Sequence, residues 1–342
     1  MIAYKFRAGR GQKDVDGKDI FERDIELLSK DMIYVPTLEQ LNDPAEALID
    51  DSFFKTLCDV IAPLASTESV ERVKESFLSF KDKIHSVGIY SLTKNLTNEL
   101  MWSYYANGHK GYAIIFDTDV LSKSFASCNF TGMYEFDVRY SNTIPTFKIS
   151  KVDGKKPVET LKDFLGVKSI AWEHEAEHRL VFDDGKQTLI IDYRAIKGFV
   201  FGLKMSDDDI SFVMQRFAGR NMEYHKMEFK GKSYRLKSVD IPDQFPDSEP
   251  YYPNCVEYDL DQLIENDRFY GGVGYKYTAL VRESLEKVRR EPFVTSISHI
   301  TVKENDKKVE ILVWTNYHQP GVLRVRKDFK YEVRNGNLVR NE

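Results

Sequence analysis

The sequence predicts an α+β protein with a mixed or mainly antiparallel core sheet flanked by helices, then a C-terminal helix and an antiparallel meander. Three observations carry this. Strand-like segments and amphipathic helices interleave through the first 217 residues. Tyr112-Ala113-Ile114-Ile115-Phe116 is a short continuous apolar run, the signature of a strand buried on both faces. Beyond residue 294, strand-like segments follow one another with polar turns between them, and Asn335-Gly336 is a strong hairpin signal.

The elements follow in order. Residues 2–7 form a first strand. Residues 19–30 place Ile20, Phe21, Ile25, Leu27 and Leu28 at helical spacing. A strand over 32–36 leads to Leu41-Asn42-Asp43-Pro44, a turn by composition. Helices over 45–61 and 70–83 precede a strand at 87–93 and a helix at 98–105. Gly108-His109-Lys110-Gly111 turns into the buried run at 112–116. Strands are expected at 132–140, 177–182, 188–192 and 196–202, with a helix at 158–165. Asp207-Asp208-Asp209 offers an N-cap and a favourable dipole partner to a helix at 210–217.

Four prolines within residues 240–254 mark a boundary. The expected division is a core domain over 1–240 and a C-terminal region over 241–342. That region reads as a helix at 277–289 and strands at 295–302, 308–314, 322–325 and 329–333.

With 342 residues, 42% hydrophobic and 13% aromatic, the chain can bury a sizeable core in one large domain or two smaller ones. A net charge of -5 gives no case for nucleic-acid binding over the whole surface, and leaves a local basic groove open. Cys58, Cys128 and Cys255 are an odd, widely spaced set, which points to a reducing setting without a disulfide framework or CxxC metal site. No signal-peptide pattern opens the chain and no apolar run reaches the roughly 20 residues that span a bilayer, so a cytoplasmic protein with no membrane partner is expected.

The segment with most chemistry is Trp172-Glu173-His174-Glu175-Ala176-Glu177-His178-Arg179. As an extended strand it projects Glu173, Glu175, Glu177 and Arg179 from one side. Paired carboxylates beside an arginine can bind a ribose or stabilise a developing cation. The plainer alternative is a solvated acidic loop offset by Arg179. A second segment, residues 101–112, gathers Trp102, Tyr105 and His109 ahead of the buried strand, where rings could stack on a nicotinamide or a base. Alternatively, Trp102 and Tyr105 are core residues at i, i+3 spacing, and His109 is a turn residue. No HExxH spacing supports a metal site. GxSxG, P-loop and GxGxxG patterns are absent, against hydrolase, NTPase and Rossmann readings.

Tyr4-Lys5-Phe6-Arg7, Leu41-Asn42-Asp43-Pro44, Tyr90-Ser91-Leu92-Thr93, Met101-Trp102-Ser103-Tyr104-Tyr105-Ala106, His109-Lys110-Gly111 and residues 172–179 occur in that order. The set resembles a widespread bacterial domain-of-unknown-function family over roughly the first two-thirds of the chain. Its order of a basic first strand, a Ser-x-Thr strand and a Glu-x-Glu before a strand is also similar to the ADP-ribosyltransferase pattern.

That second resemblance implies an ADP-ribosyltransferase-like fold and NAD as co-substrate. Lys5 or Arg7 would hold the NAD phosphates or adenylate ribose, and Ser91 and Thr93 would support the nicotinamide pocket. Glu177 would bind the nicotinamide ribose and Glu175 would face the acceptor. The implied enzyme, a toxin or phage-defence effector, would modify a protein or nucleic acid. The triplet departs from the pattern, being Ser-Leu-Thr. Two rival readings stand beside it. One is a non-catalytic nucleotide- or protein-binding module using the Trp102 pocket and the Glu175/Glu177 face. The other is a magnesium-dependent nuclease using Asp43, Glu175 and Glu177 as oxygen ligands. Asn42 and Asp43 are otherwise turn formers before Pro44.

Overall fold

The computed structural model describes residues 1–14, 16–61, 63, 66–125, 133–146, 162–253, 255–305, 308–318 and 325–341. Contacts divide the chain into two compact units, one of Met1–Ala126 with Thr131–Ser248, the other holding Glu249–Glu342. The division falls inside the proline-rich segment. No helix among the described residues is long and apolar enough to cross a membrane.

The first unit is built on an eight-stranded sheet. In chain order its strands are β1 (Ile2–Arg7), β3 (Gly88–Thr93), β4 (Tyr112–Asp117), β5 (Met133–Asp137), β8 (Glu177–Phe182), β10 (Ile196–Phe201), β11 (Glu223–Phe229) and β12 (Leu236–Asp240). Their spatial order is β12-β11-β10-β4-β1-β3-β8-β5. β10 and β11 run parallel, joined by helix α6 (Asp207–Arg216), as a parallel connection requires a crossover. The other pairs among the described residues of this sheet are antiparallel.

β4 justifies its apolar run. Tyr112, Ile114 and Phe116 pack into one core layer with α1 (Ile20–Ser29) and α6, while Ala113 and Ile115 pack into another with α4 (Glu99–Tyr105). Helices α2 (Ser52–Ile61) and α3 (Thr67–Ser86) cover Ile89 and Val181 on the same side of the sheet as Phe136. Two small pairs complete the unit: β2 (Met32–Val35) with β9 (Gln187–Ile190), and β6 (Arg139–Ser141) with β7 (Val167–Ser169). α5 (Thr118–Lys123) follows β4 directly, capped by Asp117.

The second unit is a four-stranded antiparallel meander, β13 (Val294–Asn305), β14 (Lys308–Tyr317), β15 (Val325–Arg334) and β16 (Asn337–Asn341). It packs on α7 (Leu260–Phe269) and α8 (Thr278–Val288) through Leu263, Val281, Leu285, Ile300 and Val313.

Several expectations are corrected. The helix expected over 45–61 starts at Ser52, because Asp43-Pro44 and Ala47 at φ 55° hold the preceding residues in turns. The strand expected over 132–140 is two strands in different sheets, β5 and β6; residue 132 lies outside the described residues, as do 158–161 of the helix expected at 158–165 and 322–324 of the strand expected at 322–325. Ser206, not the aspartate run, caps α6, accepting from the Asp209 amide; Asp207, Asp208 and Asp209 occupy its first turn. β11, β12 and α7 were not expected.

Candidate functional site

The large sheet opens between β1 and β3. β1 pairs with β4 along its whole length, Ile2 to Arg7, but with β3 only at Tyr4–Thr93. A fork in a sheet exposes unpaired backbone groups, which need other partners. Here Ser91 C=O accepts from the Lys5 amine at 2.8 Å, and the Ile89 amide donates to Pro36 C=O at 2.8 Å. The fork is thereby held open as a cleft of about 400 Å3, within the range of small-molecule sites.

One lip of the cleft is cationic. Lys5, over the Tyr90 ring at 4.7 Å, and Arg7 come from β1. Arg7 meets Asp24 of α1 at 3.2 Å. Burial, and then the neighbouring Arg7 charge, push the Lys5 amine down to about 7. This happens although Glu177, Asp24 and Glu175 pull the other way.

The other lip is acidic, and its register follows from strand pairing. Thr93 lies opposite Glu177 and Ser91 opposite Arg179, so the four side chains share one face. Arg179 is fully buried. It donates Nε to Glu177 Oε1 at 2.8 Å and Nη2 to Oε2 at 2.9 Å, and reaches Leu165 C=O at 2.6 Å and Glu46 at 2.7 Å. Lys168 stands 2.6 Å from Glu175, 3.4 Å from Glu177 and 3.7 Å from Glu46, with its amine 5.0 Å from the Trp172 ring centre. Burial works to raise the Glu177 carboxyl, but Arg179, then Lys168 and the Ser91 hydroxyl, hold it far below the ordinary range, at about 2.

Glu175 reaches the cleft by a different route from the one its spacing implies. Residues 170–175 form a 3-10 turn capped by Ser169, and Ala176 takes a left-handed conformation at φ 42° before β8 begins. The expected single strand carrying Glu173, Glu175, Glu177 and Arg179 is therefore corrected: Glu177 and Arg179 share a strand face, Glu173 is solvent-exposed, and the turn swings Glu175 inward. Its Oε1 accepts from the Tyr105 hydroxyl and its Oε2 from Lys168. Thr93 Oγ1 donates to its backbone carbonyl. Burial first, and then Glu175, raise the Tyr105 phenol, which also meets the Asn42 side chain.

Acceptor capacity separates the two glutamates. A carboxylate offers about four lone-pair sites. Glu177 already faces four donors: two from Arg179, one from Lys168 and one from Ser91. Among the described residues, Glu175 faces two side-chain donors. Counting formal charges, Glu46, Glu175 and Glu177 stand against Lys168 and Arg179, three against two, so this wall carries one surplus negative charge.

Residues 101–180 match the family model described as Protein of unknown function (DUF2971). No curated protein and no solved structure matches the chain. The matched segment runs from α4 to the middle of β8, so it holds Tyr105, Lys168, Glu175, Glu177 and Arg179, while Glu46, β3 and the cationic lip on β1 lie before it.

Of the residues singled out by sequence, Lys5, Arg7, Asn42, Asp43, Ser91, Thr93, Tyr105, Glu175 and Glu177 line the cleft. Trp102, His109 and Arg179 do not. Trp102 is a fully buried core residue, edge-on to Phe6 and donating Nε1 to Leu96 C=O at 2.7 Å, which leaves no ring face for a ligand. His109 sits at φ 70° in the turn before β4, its ring stacked parallel to Trp102 at 6.3 Å, and does not line the cleft. Arg179 lies behind Glu177 as its counter-ion. Sequence reasoning missed Asp24, Glu46 and Lys168. Only Asp24 left a signal, a carboxylate among Phe21, Ile25 and Leu28 on the buried stripe of α1.

Asp43 is buried; its Oδ1 accepts from the Ala45 amide at 2.9 Å and its Oδ2 has no hydrogen-bond partner among the described residues. Buried acceptors are rarely left so.

Proposed function

We propose that the β1/β3 fork binds NAD and transfers its ADP-ribosyl group to a macromolecular acceptor, as an ADP-ribosyltransferase-like enzyme. The observation that supports this reading is the meeting of the Lys5/Arg7 lip and the Glu175/Glu177 lip in one cleft, with Ser91 and Thr93 between them. The residues fit such a ligand: two cations suit a diphosphate, and the orphaned Asp43 oxygen would accept from an amide or hydroxyl.

NAD supplies a nicotinamide–ribose bond whose electron pair departs with nicotinamide, leaving positive charge on the ribose. Glu177, kept ionised by Arg179, fixes negative charge in place before reaction, which stabilises such a charge better than mobile water. Glu175, with acceptor capacity to spare, is the carboxylate that holds a ribose hydroxyl or takes the acceptor's proton as the new bond to ribose forms. This moves the ligand-facing role from Glu177 to Glu175.

The test is nicotinamide release and the NAD-induced thermal shift of wild type and Glu175→Gln. The variant is expected to keep the shift and lose turnover by about 10²–10³-fold. Wild type with neither shift nor release sinks the reading. A second reading, a non-catalytic nucleotide-binding module, is favoured by the saturation of Glu177, and a clear shift without release would select it.

A further inference from the structure

The hairpin joining β11 to β12 takes no part in the cleft. Residues 226–237, Lys-Met-Glu-Phe-Lys-Gly-Lys-Ser-Tyr-Arg-Leu-Lys, carry five cations against one carboxylate, a formal +4 in a chain of net -5. Lys226 meets Asp207 at 3.4 Å and Lys237 meets Glu228 at 3.2 Å. Lys230, Lys232 and Arg235, at the exposed tip, make no ion pair among the described residues. Lysines on an edge strand are a common guard against sheet-to-sheet pairing. That role does not account for the rings beside them: Tyr234 is 87% exposed and Phe229 54%.

Unpaired cations interleaved with exposed rings are what a single nucleic-acid strand requires, cations along the phosphates and rings under the bases. The hairpin is also not a flat surface. Lys230, Arg235 and Leu236 line a concavity of about 430 Å3 together with Thr97, Asn98, Glu99 and Leu100, so one carboxylate stands among its two cations. Helix α4, which supplies Leu100 there, supplies Tyr104 and Tyr105 to the cleft.

We infer that the β11–β12 hairpin is a binding surface for single-stranded nucleic acid. The inference does not rest on the cleft chemistry. A purely electrostatic partner, such as an acidic protein, would use the lysines and have no need of Tyr234, so the ring separates the two.

The experiment is fluorescence anisotropy of the full chain with a labelled single-stranded oligonucleotide of about 20 residues, from about 50 to 200 mM salt. Binding is expected, with the logarithm of affinity falling by about 0.7 per phosphate contact against the logarithm of salt. Lys230→Glu/Lys232→Glu/Arg235→Glu should cut affinity more than tenfold and flatten that slope by about 2. Tyr234→Ala should weaken binding about fivefold or more while leaving the slope unchanged. All four positions are exposed, so thermal unfolding and the NAD-induced shift should match wild type, which keeps failure here distinct from failure of the cleft reading. No binding at low salt, or binding indifferent to the triple charge reversal, overturns the inference. So does a Tyr234→Ala variant that binds as wild type while polyaspartate competes as well as the oligonucleotide, a result that assigns the surface to an acidic protein.

Discussion

Replacing Arg179 with Met asks whether charge holds the acidic lip together. Met fills a similar volume but leaves Glu46, Glu175 and Glu177 facing Lys168 alone. Removing one member of a buried ion pair costs about 3–5 kcal/mol, because the partner stays buried and unpaired. The net depression of Glu177, to which Lys168 and Ser91 also contribute, is of the same order. Glu177 is held at about 2 against an ordinary 4.5, which at about 1.4 kcal/mol per unit is roughly 3 kcal/mol.

The sign of the pH dependence sharpens the test. A carboxyl depressed in the folded state contributes stability that is fully present above about 4.5 and is lost as pH falls towards 2. In Arg179→Met only Lys168 and the Ser91 hydroxyl still oppose burial; if charge holds the lip together, burial should win, raising the folded-state value past the unfolded one and inverting the linkage. Urea unfolding of both proteins at about pH 7 and about pH 5.5 reads this out. The variant should be about 3–5 kcal/mol less stable at the higher pH, and the deficit should shrink at the lower. A deficit below about 1 kcal/mol, or one equal at both pH values, would refute the charge argument and leave Arg179 a packing residue.

Other outcomes follow from the same geometry. Lys5 carries its proton below about 7 and loses it above, so affinity for NAD, whose diphosphate does not titrate there, should fall as pH rises through that value; Lys5→Met should abolish this dependence in calorimetric titrations. A Cβ on Gly111 would lie 2.1 Å from the Arg7 carbonyl oxygen. Gly111→Ala should therefore cost about 1–3 kcal/mol in thermal unfolding, and it should weaken NAD by displacing Arg7; an unchanged melting temperature would mean the β1–β4 end is softer than drawn.

What could be read from the chain was whatever depends on local period. Alternation placed Glu177 and Arg179 on one strand face and Ser91 and Thr93 on another, and pairing brought the two faces together. The unbroken Tyr112–Phe116 run announced its double burial. The route of Glu175 was hidden, because Ala176 adopts φ 42° with no glycine or asparagine to signal a left-handed residue. β11 and β12 were hidden by their own charges: an edge hairpin rich in Lys and Glu lacks the apolar alternation that marks a strand. Glu46 and Lys168 were illegible for another reason. Sequence favours charged residues outside, and only the meeting of distant segments supplies the partners that let them go in.

Lys5 shows how the fold and the site are one problem. A complete β1–β3 ladder would satisfy every backbone group and leave no cleft. Breaking it after a single pair strands Ser91 C=O, and the cheapest donor at hand is the side chain of the residue next to the last paired one. That places an amine inside a half-buried fork, beside Arg7, where it cannot be fully hydrated. Its depressed proton affinity is thus a consequence of opening the sheet. The same displacement leaves a cation at the mouth of a cleft whose far wall is anionic, so the separation of charge that a diphosphate-linked ribose would exploit arises from one missing row of backbone hydrogen bonds.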